Sequence, residues 1–304
     1  DDVVINAGVT VTYSAGTNTI KSLQSAAILN ATAGSLTVNG SLTSNGNVNV
    51  QGGTFVLNGA ASISTATITV SSGTLTLGGS VATTWQNNGV ITQTGGTINL
   101  GGTFTTATMG NFTGSGGTVS IIGTLTGTNA PTNDTLTIDS TRQWQLAGGT
   151  LKDITVSGGG DVLKPFQVTS ASGTLNNVTL GWNTTLREGS GASGTTGNQV
   201  TVLNGLTLEN NSLLRLERLN TAGASTAYDV GLNFSGAAST LGGSGMVELS
   251  TASVTGSIES YTRVRAIGGG TLTIGSGITV RNATNSKFAT LGDATTGSLI
   301  VAGK

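Results

Sequence analysis

The sequence contains no cysteine and no histidine in its 304 residues. The absence of cysteine excludes disulfide bonds and thiolate metal sites. The absence of histidine removes the commonest general base and metal ligand of proteins. Aromatic residues make up 4% of the chain and charged residues 8%, with a formal net charge of −1. This composition offers no basic face to nucleic acid and no basic amphipathic helix to a membrane surface, so neither is expected as a partner.

Proline and long apolar runs are also scarce. The chain has 2 prolines, and none of its apolar runs approaches the roughly 20 residues that a membrane-spanning helix needs. Membrane insertion is therefore not expected. Disordered chains usually combine low hydrophobicity with high charge and proline, whereas this chain has 49 glycines and a repeating pattern. The composition favours a folded chain.

The repeating pattern is glycine, then a hydroxyl residue, then apolar residues at alternate positions. In residues 95–102, alternation places Ile98 and Leu100 on one face of a strand and Thr97 and Asn99 on the other. The average period is about 20 residues, which is typical of a solenoid. The steps between repeats are unequal, and the repeats begin at Ser35, Thr54, Thr74, Thr97, Thr118, Thr135, Thr150 and Thr174.

Two more short strands fit within each period, for example residues 81–85 and 90–94. The sequence therefore predicts an all-β fold, a single-stranded right-handed parallel β-helix with about 20 residues and three short strands per coil. Successive coils would lie about 4.8 Å apart, with inward Leu, Ile, Val and Phe in stripes along the axis. Asn-Gly pairs at 39–40, 58–59 and 88–89 are expected at corners, because both residue types tolerate positive φ.

The predicted organisation is one continuous β-helix over residues 1–304. Regular coils are expected over 1–181, irregular coils with loop excursions over 182–235, and resumed coils over 236–304 that finish at an open end. Between Asp2 and Asp134 the only charged residue is Lys21. The outer surface is therefore expected to change character midway along the chain.

The glycine–hydroxyl–apolar units, rich in Thr, Asn and Gly, resemble the passenger regions of bacterial surface proteins. Filamentous-haemagglutinin-type adhesins and autotransporter passengers are the nearest group. Residues 1–5 and 8–11 also resemble the first coil of secreted bacterial β-helix proteins. The resemblance implies secretion to the bacterial cell surface or extracellular matrix, a rod-like shape and an adhesive or scaffolding role. It carries over no catalytic residues and implies no cofactor.

The sequence thus predicts a secreted structural protein without enzymatic activity, a subunit of an extracellular filament or the stalk of a bacterial adhesin. No catalytic, cofactor or metal residues are expected. The expected partners are other copies of the chain, because a parallel solenoid exposes unpaired strand edges at its ends. End-to-end contacts are predicted at Val3, Val4, Ile5, Leu299, Ile300 and Val301.

The alternative is a carbohydrate-binding or polysaccharide-cleaving β-helix that acts on a cell-surface or matrix polysaccharide. Trp144 and Trp182 are the candidate sugar-stacking residues. Cleavage normally needs two carboxylates roughly 5–9.5 Å apart. About one period separates Asp134 from Asp153 and Asp139 from Asp161, so each pair would stack on one face, although solvated corner residues are the favoured interpretation. Residues 158–163 partly match the glycine-aspartate calcium repeat, but a lone match is expected by chance.

Outward threonines give a third hypothesis. Residues 65–69 and 103–108 are predicted to form threonine ladders, and regular threonine arrays on a flat face can bind ice. Such an array is expected to need nearly identical rung lengths, so the unequal steps argue against it. Threonine is also simply a good strand residue.

Overall fold

The computed structural model describes residues 1–59, 62–63, 67–79, 83–128, 134–159, 164–187, 198–218, 229–251, 261–283, 289–292 and 297–302. The fold is a parallel β-helix, as predicted, because each strand pairs in parallel with strands of neighbouring coils. The chain divides into two compact units, Asp1–Thr126 with Thr141–Trp144 and Gly127–Ser140 with Gln145–Lys304. The continuity of one helix over 1–304 stays a prediction.

Each regular coil of the first unit contains three short strands, as predicted. The elements of this unit are β1 (Asp2–Ile5), β2 (Thr10–Tyr13), β3 (Thr17–Ile20), β4 (Ser22–Ser25), β5 (Ile28–Ala31), β6 (Ser35–Val38), β7 (Leu42–Ser44), β8 (Val48–Val50), β9 (Thr54–Leu57), β10 (Ser62–Ile63), β11 (Thr67–Val70), β12 (Thr74–Leu77), β13 (Gln86–Asn87), β14 (Val90–Gln93), β15 (Thr97–Leu100), β16 (Thr103–Phe104), α1 (Thr106–Met109), β17 (Asn111–Gly114), β18 (Thr118–Ile121) and β19 (Thr124–Thr126).

These strands stack into three parallel sheets. The first sheet joins β1, β4 and β7, and β10 pairs with β13 separately. The second joins β2, β5, β8, β11, β14 and β17. The third joins β3, β6, β9, β12, β15 and β18, and in it Ser35, Thr54, Thr74, Thr97 and Thr118 pair in succession. The first five predicted repeat positions are therefore in register.

Apolar side chains at alternate positions form columns inside the coils. One column of the third sheet consists of Leu36, Phe55, Leu75, Ile98 and Val119, all of them buried. Burying a side chain of this size contributes about 1.5–3 kcal/mol. A slip of one residue would turn the column outward, so the apolar column holds the register.

A column of glycines forms the corner that precedes the third sheet. Gly96 has φ of +62°, and Gly34, Gly73 and Gly117 also have positive φ. A Cβ atom on Gly96 would lie 2.6 Å from the carbonyl oxygen of Gly73 in the preceding coil. The glycine–hydroxyl pattern therefore has a physical cause, because this corner needs both a left-handed conformation and close approach of the coils.

The backbone conformation at the Asn-Gly corners differs from the expectation. Positive φ is not found at Asn39, Gly40, Asn58 or Gly59. A Cβ atom on Gly59 would instead lie 2.1 Å from the carbonyl oxygen of Asn39. The pairs lie at corners, as predicted, but glycine is required there by the distance between coils and not by a positive φ.

Of the threonine ladder predicted for residues 103–108, Thr103 lies in register between Thr84 and Thr124, but the residues after Phe104 do not continue it. β16 ends at Phe104, and the helical turn α1 follows it. The Thr108 backbone N–H donates to Thr105 Oγ1 at 3.1 Å, and the Thr105 N–H donates to Thr108 Oγ1 at 2.9 Å. These hydroxyls cap a helix and are used locally, so the prediction is wrong here.

The second unit contains much longer strands. Its elements are β20 (Asp134–Asp139), β21 (Gln143–Leu146), whose first two residues belong to the first unit, β22 (Thr150–Lys152), β23 (Ile154–Gly159), β24 (Phe166–Val168), β25 (Gly173–Leu180), β26 (Thr184–Arg187), β27 (Gln199–Arg218), β28 (Val230–Ser235), β29 (Ala238–Thr251), β30 (Thr262–Ile267), β31 (Thr271–Ile274), β32 (Ile278–Asn282), β33 (Ala289–Leu291) and β34 (Ser298–Val301).

Most coils of this unit are longer than the predicted period. Leu180 pairs with Leu208, and Leu216 pairs with Leu249, so each of these coils is well above the period of the first unit. The predicted period therefore holds for the first unit and is too short for most of the second. Of the later predicted repeats, Thr150 pairs with Thr174 as expected, but Thr135 pairs with Thr155.

Two strands of this unit, β25 and β27, bend around corners without breaking, whereas Asp153 lies at the corner between β22 and β23. Asp153, Asn177 and Asn204 have φ of +53°, +52° and +56°. Asn177 Nδ2 donates to Asp153 Oδ1 in the preceding coil at 2.7 Å. Short amide and carboxylate side chains tolerate this conformation and bond locally, which explains how β25 and β27 turn within one continuous strand.

Candidate functional site

The predicted end residues lie in the first and last coils of the described chain. In β1, Val4 is 63% exposed, while Val3 and Ile5 are half-buried. In β34, Ile300 and Val301 are 54% and 52% exposed, and Leu299 is half-buried. Each of these strands carries apolar side chains and pairs with one strand among the described residues, β1 with β4 and β34 with β31. Whether these residues form an interface stays a prediction.

Asp2 lies at the same edge as Val4 and holds the first coil to the second. Its carboxylate accepts hydrogen bonds from the Ser22 hydroxyl and from Lys21 Nζ, the latter at 3.2 Å. The Ser22 hydroxyl, and after it Lys21, lower the pKa of Asp2 below its ordinary value. The negative charge of Asp2 is thus paired within the chain.

The outward side chains of β3, β6, β9, β12 and β15 form an uncharged array on the third sheet, which we call the threonine face. Two of its members are exposed and the others are half-buried. The face consists of Thr17, Thr19, Ser35, Thr37, Thr54, Val56, Thr74, Thr76, Thr97 and Asn99.

Unequal coil lengths do not disturb the threonine face. The coil that leads from Thr19 to its partner Thr37 is shorter than the coil that leads from Thr76 to its partner Asn99, yet both pairs are in register. The extra residues are accommodated between the sheets. The argument that unequal steps exclude a regular threonine array is therefore wrong.

The second sheet carries hydrogen-bonded ladders between its outward side chains. Asn49 Nδ2 donates to Asn30 Oδ1 at 2.8 Å, and Thr92 Oγ1 lies 3.1 Å from Thr113 Oγ1. These neutral contacts link each coil to the next. They stiffen the unit, as does the bond that Asn99 Nδ2 donates to Thr76 Oγ1 at 3.3 Å on the threonine face.

Ion pairs link the coils of the second unit. Glu248 is 5% exposed and lies in register between Arg215 and Arg281. Its Oε1 atom lies 2.8 Å from Arg215 NH2, and its Oε2 atom lies 2.7 Å from Arg281 NH2. Both oxygens of a buried carboxylate are thus occupied by guanidinium groups of the two adjacent coils, an arrangement that holds the coils together.

Sequence reasoning missed this Arg–Glu–Arg ladder, although a signal for it exists. Arg215, Glu248 and Arg281 follow one another at equal spacings along the chain. A longer period in the second half of the chain aligns these three residues. The shorter period of the first half does not align them.

Of the predicted carboxylate pairs, Asp134 and Asp153 are both hydrogen-bonded within the chain, and other acidic residues form ion pairs. Asp134 Oδ2 accepts hydrogen bonds from the Thr128 backbone N–H and hydroxyl, and Asp153 accepts one from Asn177. Glu217 lies 2.6 Å from Arg187 NH2, and Asp229 lies 3.1 Å from Arg263 NH2. Asp161, the predicted partner of Asp139, lies outside the described residues, as do Glu188, Glu259 and Asp293.

The tryptophans differ in accessibility. Trp144 is 5% exposed, and its ring centroid lies 6.1 Å from that of Phe112, so its burial argues against the predicted sugar-stacking role. Trp85 is also buried and stacks on Phe104. Trp182 is half-buried, and its ring lies over the backbone of Gly158. Sugar stacking by Trp182 stays a prediction.

A metal site is not assembled by the part of the chain that the structure describes, where no three acidic side chains cluster. Residues 160–163 of the partial calcium repeat lie outside that part. Among the described helices, none is long and apolar enough to cross a membrane.

Comparison with known proteins identifies no relative of this chain. No protein-family model, curated protein or solved structure matches it. Arguments about function therefore depend on the residues themselves.

Proposed function

We propose that this chain is a secreted structural protein, a subunit of an extracellular filament or the stalk of a bacterial adhesin, whose copies join end to end. The observation that supports this most is the placement of exposed apolar side chains. Among the described residues, seven large hydrophobic side chains are exposed, and five of them lie in the first or last coil, namely Val4, Val9, Leu291, Ile300 and Val301.

The end-to-end contact would join the last strands of one copy to the first strands of the next. β34 of one copy and β1–β3 of the next would continue the parallel ladders, with main-chain hydrogen bonds supplying affinity and the apolar side chains excluding water. Two different surfaces meet in this contact, so it is heterologous, and it produces open chains of copies where its rotation does not close a ring.

The use of charged side chains supports a structural role. Glu248, Glu217 and Asp229 bond to arginines of adjacent coils, and Asp153 bonds to an asparagine of the next coil. In this proposal the outward chemistry of the second unit serves cohesion between coils.

Sedimentation velocity and negative-stain microscopy of the pure protein test the assembly. The wild type is expected to form longer species as its concentration rises. Val4→Lys and Ile300→Lys each place a charge at one end, so each variant alone is expected to stay monomeric. An equimolar mixture of the two is expected to form dimers, because each variant keeps the intact end that the other needs.

Ile122→Lys is the matched control, since Ile122 is a 39% exposed apolar residue away from both terminal coils. It is expected to assemble like the wild type. A wild type that stays monomeric at every concentration would contradict the proposal. Equal loss of assembly in Ile122→Lys would indicate lateral packing in place of end-to-end contact.

The carbohydrate alternative has its own readout. Retention of the wild type on an acidic or neutral polysaccharide, lost in Trp182→Ala and kept in Val4→Lys, would favour carbohydrate binding. Release of oligosaccharides by the wild type would favour cleavage.

A further inference from the structure

We propose that the threonine face binds ice. Seven of its ten side chains are threonine, one is serine and one is asparagine, so nine of ten carry a group that can donate and accept hydrogen bonds. Ice presents a lattice of water molecules whose exposed groups have the same two capacities.

The array has two fixed repeats. Outward residues two apart on one strand lie about 6.6–6.8 Å apart, and equivalent residues of adjacent coils lie about 4.7–4.9 Å apart. The pairing of Thr54 with Thr74 and of Thr74 with Thr97 maintains the second repeat over consecutive coils. These two repeats are close to the oxygen–oxygen repeats of planes of hexagonal ice, so many hydroxyls can meet lattice positions together.

The array is also rigid before it meets a ligand. The strands that carry it are hydrogen-bonded in parallel ladders, and the inward neighbours Phe55, Leu75 and Ile98 are 0% exposed. Threonine is β-branched, so its χ1 angle is restricted. Little conformational entropy is therefore lost when the face orders water or meets a crystal.

The composition of the threonine face favours an ice surface over other partners. The ten positions contain no charged residue and no aromatic residue. A polyanion needs cations, and a sugar platform usually needs aromatic rings. Threonine and Val56 add methyl groups to the hydroxyls, and this neutral composition suits a water lattice and gives a charged protein surface no partner.

Ice recrystallisation assays and ice-shaping microscopy of the wild type test the proposal. The wild type is expected to inhibit crystal growth. Thr76→Lys, in the middle of the face, is expected to lose this inhibition, because an ammonium group would have to give up its water at the ice surface. Val56→Thr fills the one position without a polar group and is expected to lower the concentration needed for inhibition.

Thr69→Lys is the matched control, since Thr69 is a half-buried outward threonine of the same coil on the second sheet. It is expected to keep the wild-type activity, with circular dichroism and melting temperature showing that both lysine variants fold. Wild-type protein that leaves ice growth unchanged would overturn the proposal, as would equal losses in Thr69→Lys and Thr76→Lys. Binding to crystalline cellulose that Thr76→Lys abolishes, without any effect on ice, would assign the face to a neutral polysaccharide. Val4 lies on β1 of the first sheet and is not part of the threonine face, so Val4→Lys separates this test from that of assembly.

Discussion

The two units of the molecule hold their coils together with different side chains. In the first unit, neutral groups bond from coil to coil, as Asn49 does with Asn30 at 2.8 Å, and the ion pair of Asp2 with Lys21 joins the first two coils. In the second, ion pairs such as those of Glu248 with Arg215 and Arg281 are added to neutral bonds such as that of Asn204 with Asn176. The coils also differ in length, since the coil from Leu216 to its partner Leu249 is much longer than any regular coil of the first unit.

The difference shows which features the parallel β-helix requires. Both units keep apolar columns inside and parallel backbone ladders between coils, so these two features suffice for the fold. The outward residues and the corner lengths vary without disturbing the register. This freedom allows one unit to present a neutral hydroxyl array and the other an ionic ladder on the same kind of scaffold.

The largest loss of stability is expected for Gly96→Ala, where close contact between coils adds to backbone strain. Gly96→Ala would place Cβ 2.6 Å from the Gly73 carbonyl oxygen at a residue with φ of +62°. We expect a loss of about 3 kcal/mol or more in the free energy of unfolding, since about 1–3 kcal/mol comes from the conformation alone. Urea denaturation followed by circular dichroism measures it.

Gly268→Ala is the matched substitution in the second unit. Gly268 has φ of +68°, and a Cβ atom there would meet nothing within 4 Å. A loss of about 1 kcal/mol is expected, from the backbone conformation only. Equal losses in the two variants would show that the distance between coils does not matter at Gly96.

A smaller loss of stability is expected for Glu248→Ala, which removes ion pairs between coils. Glu248→Ala removes a buried carboxylate and leaves two guanidinium groups unpaired, and these are 41% and 53% exposed. We expect a loss of about 2 kcal/mol, below the value for fully buried pairs because water reaches both arginines. The loss should shrink as salt is added, because salt screens exposed charges.

Asn49→Ala provides the neutral comparison in the first unit. Loss of its hydrogen bond to Asn30 is expected to cost about 1 kcal/mol, independent of salt. Thermal unfolding of both variants at low and high ionic strength measures the two losses. Similar salt dependence in both variants would remove the proposed distinction between the units.

The smallest effect concerns the exposed Asp2 at the edge of the first unit. The Ser22 hydroxyl and then Lys21 hold its pKa below the ordinary value of 3.8 in the folded state. Its contribution to stability is therefore complete above the unfolded pKa and is lost as the pH falls through the folded pKa. The melting temperature of Asp2→Asn should lie slightly below that of the wild type at neutral pH and match it in strong acid. A difference that grows in acid would contradict this sign.

The regular coils could be predicted because each carries its own signal. Residues 95–102 contain a corner glycine, an outward hydroxyl residue and alternating apolar residues, and the next coil repeats them. The helical turn at Thr106–Met109 could not be predicted in this way, since threonine favours both strands and helix caps. The local preferences of threonine therefore do not decide between a strand and a helical turn at this position.

The inward columns and the parallel stacking follow from the amino-acid sequence alone, because alternation and period are properties of the chain. The folded chain was needed to show that Glu248 meets Arg215 and Arg281, and that threonines separated by unequal steps share one face. The physical reason is that register is set by the backbone ladder and the buried columns, while the corners take up any difference in coil length.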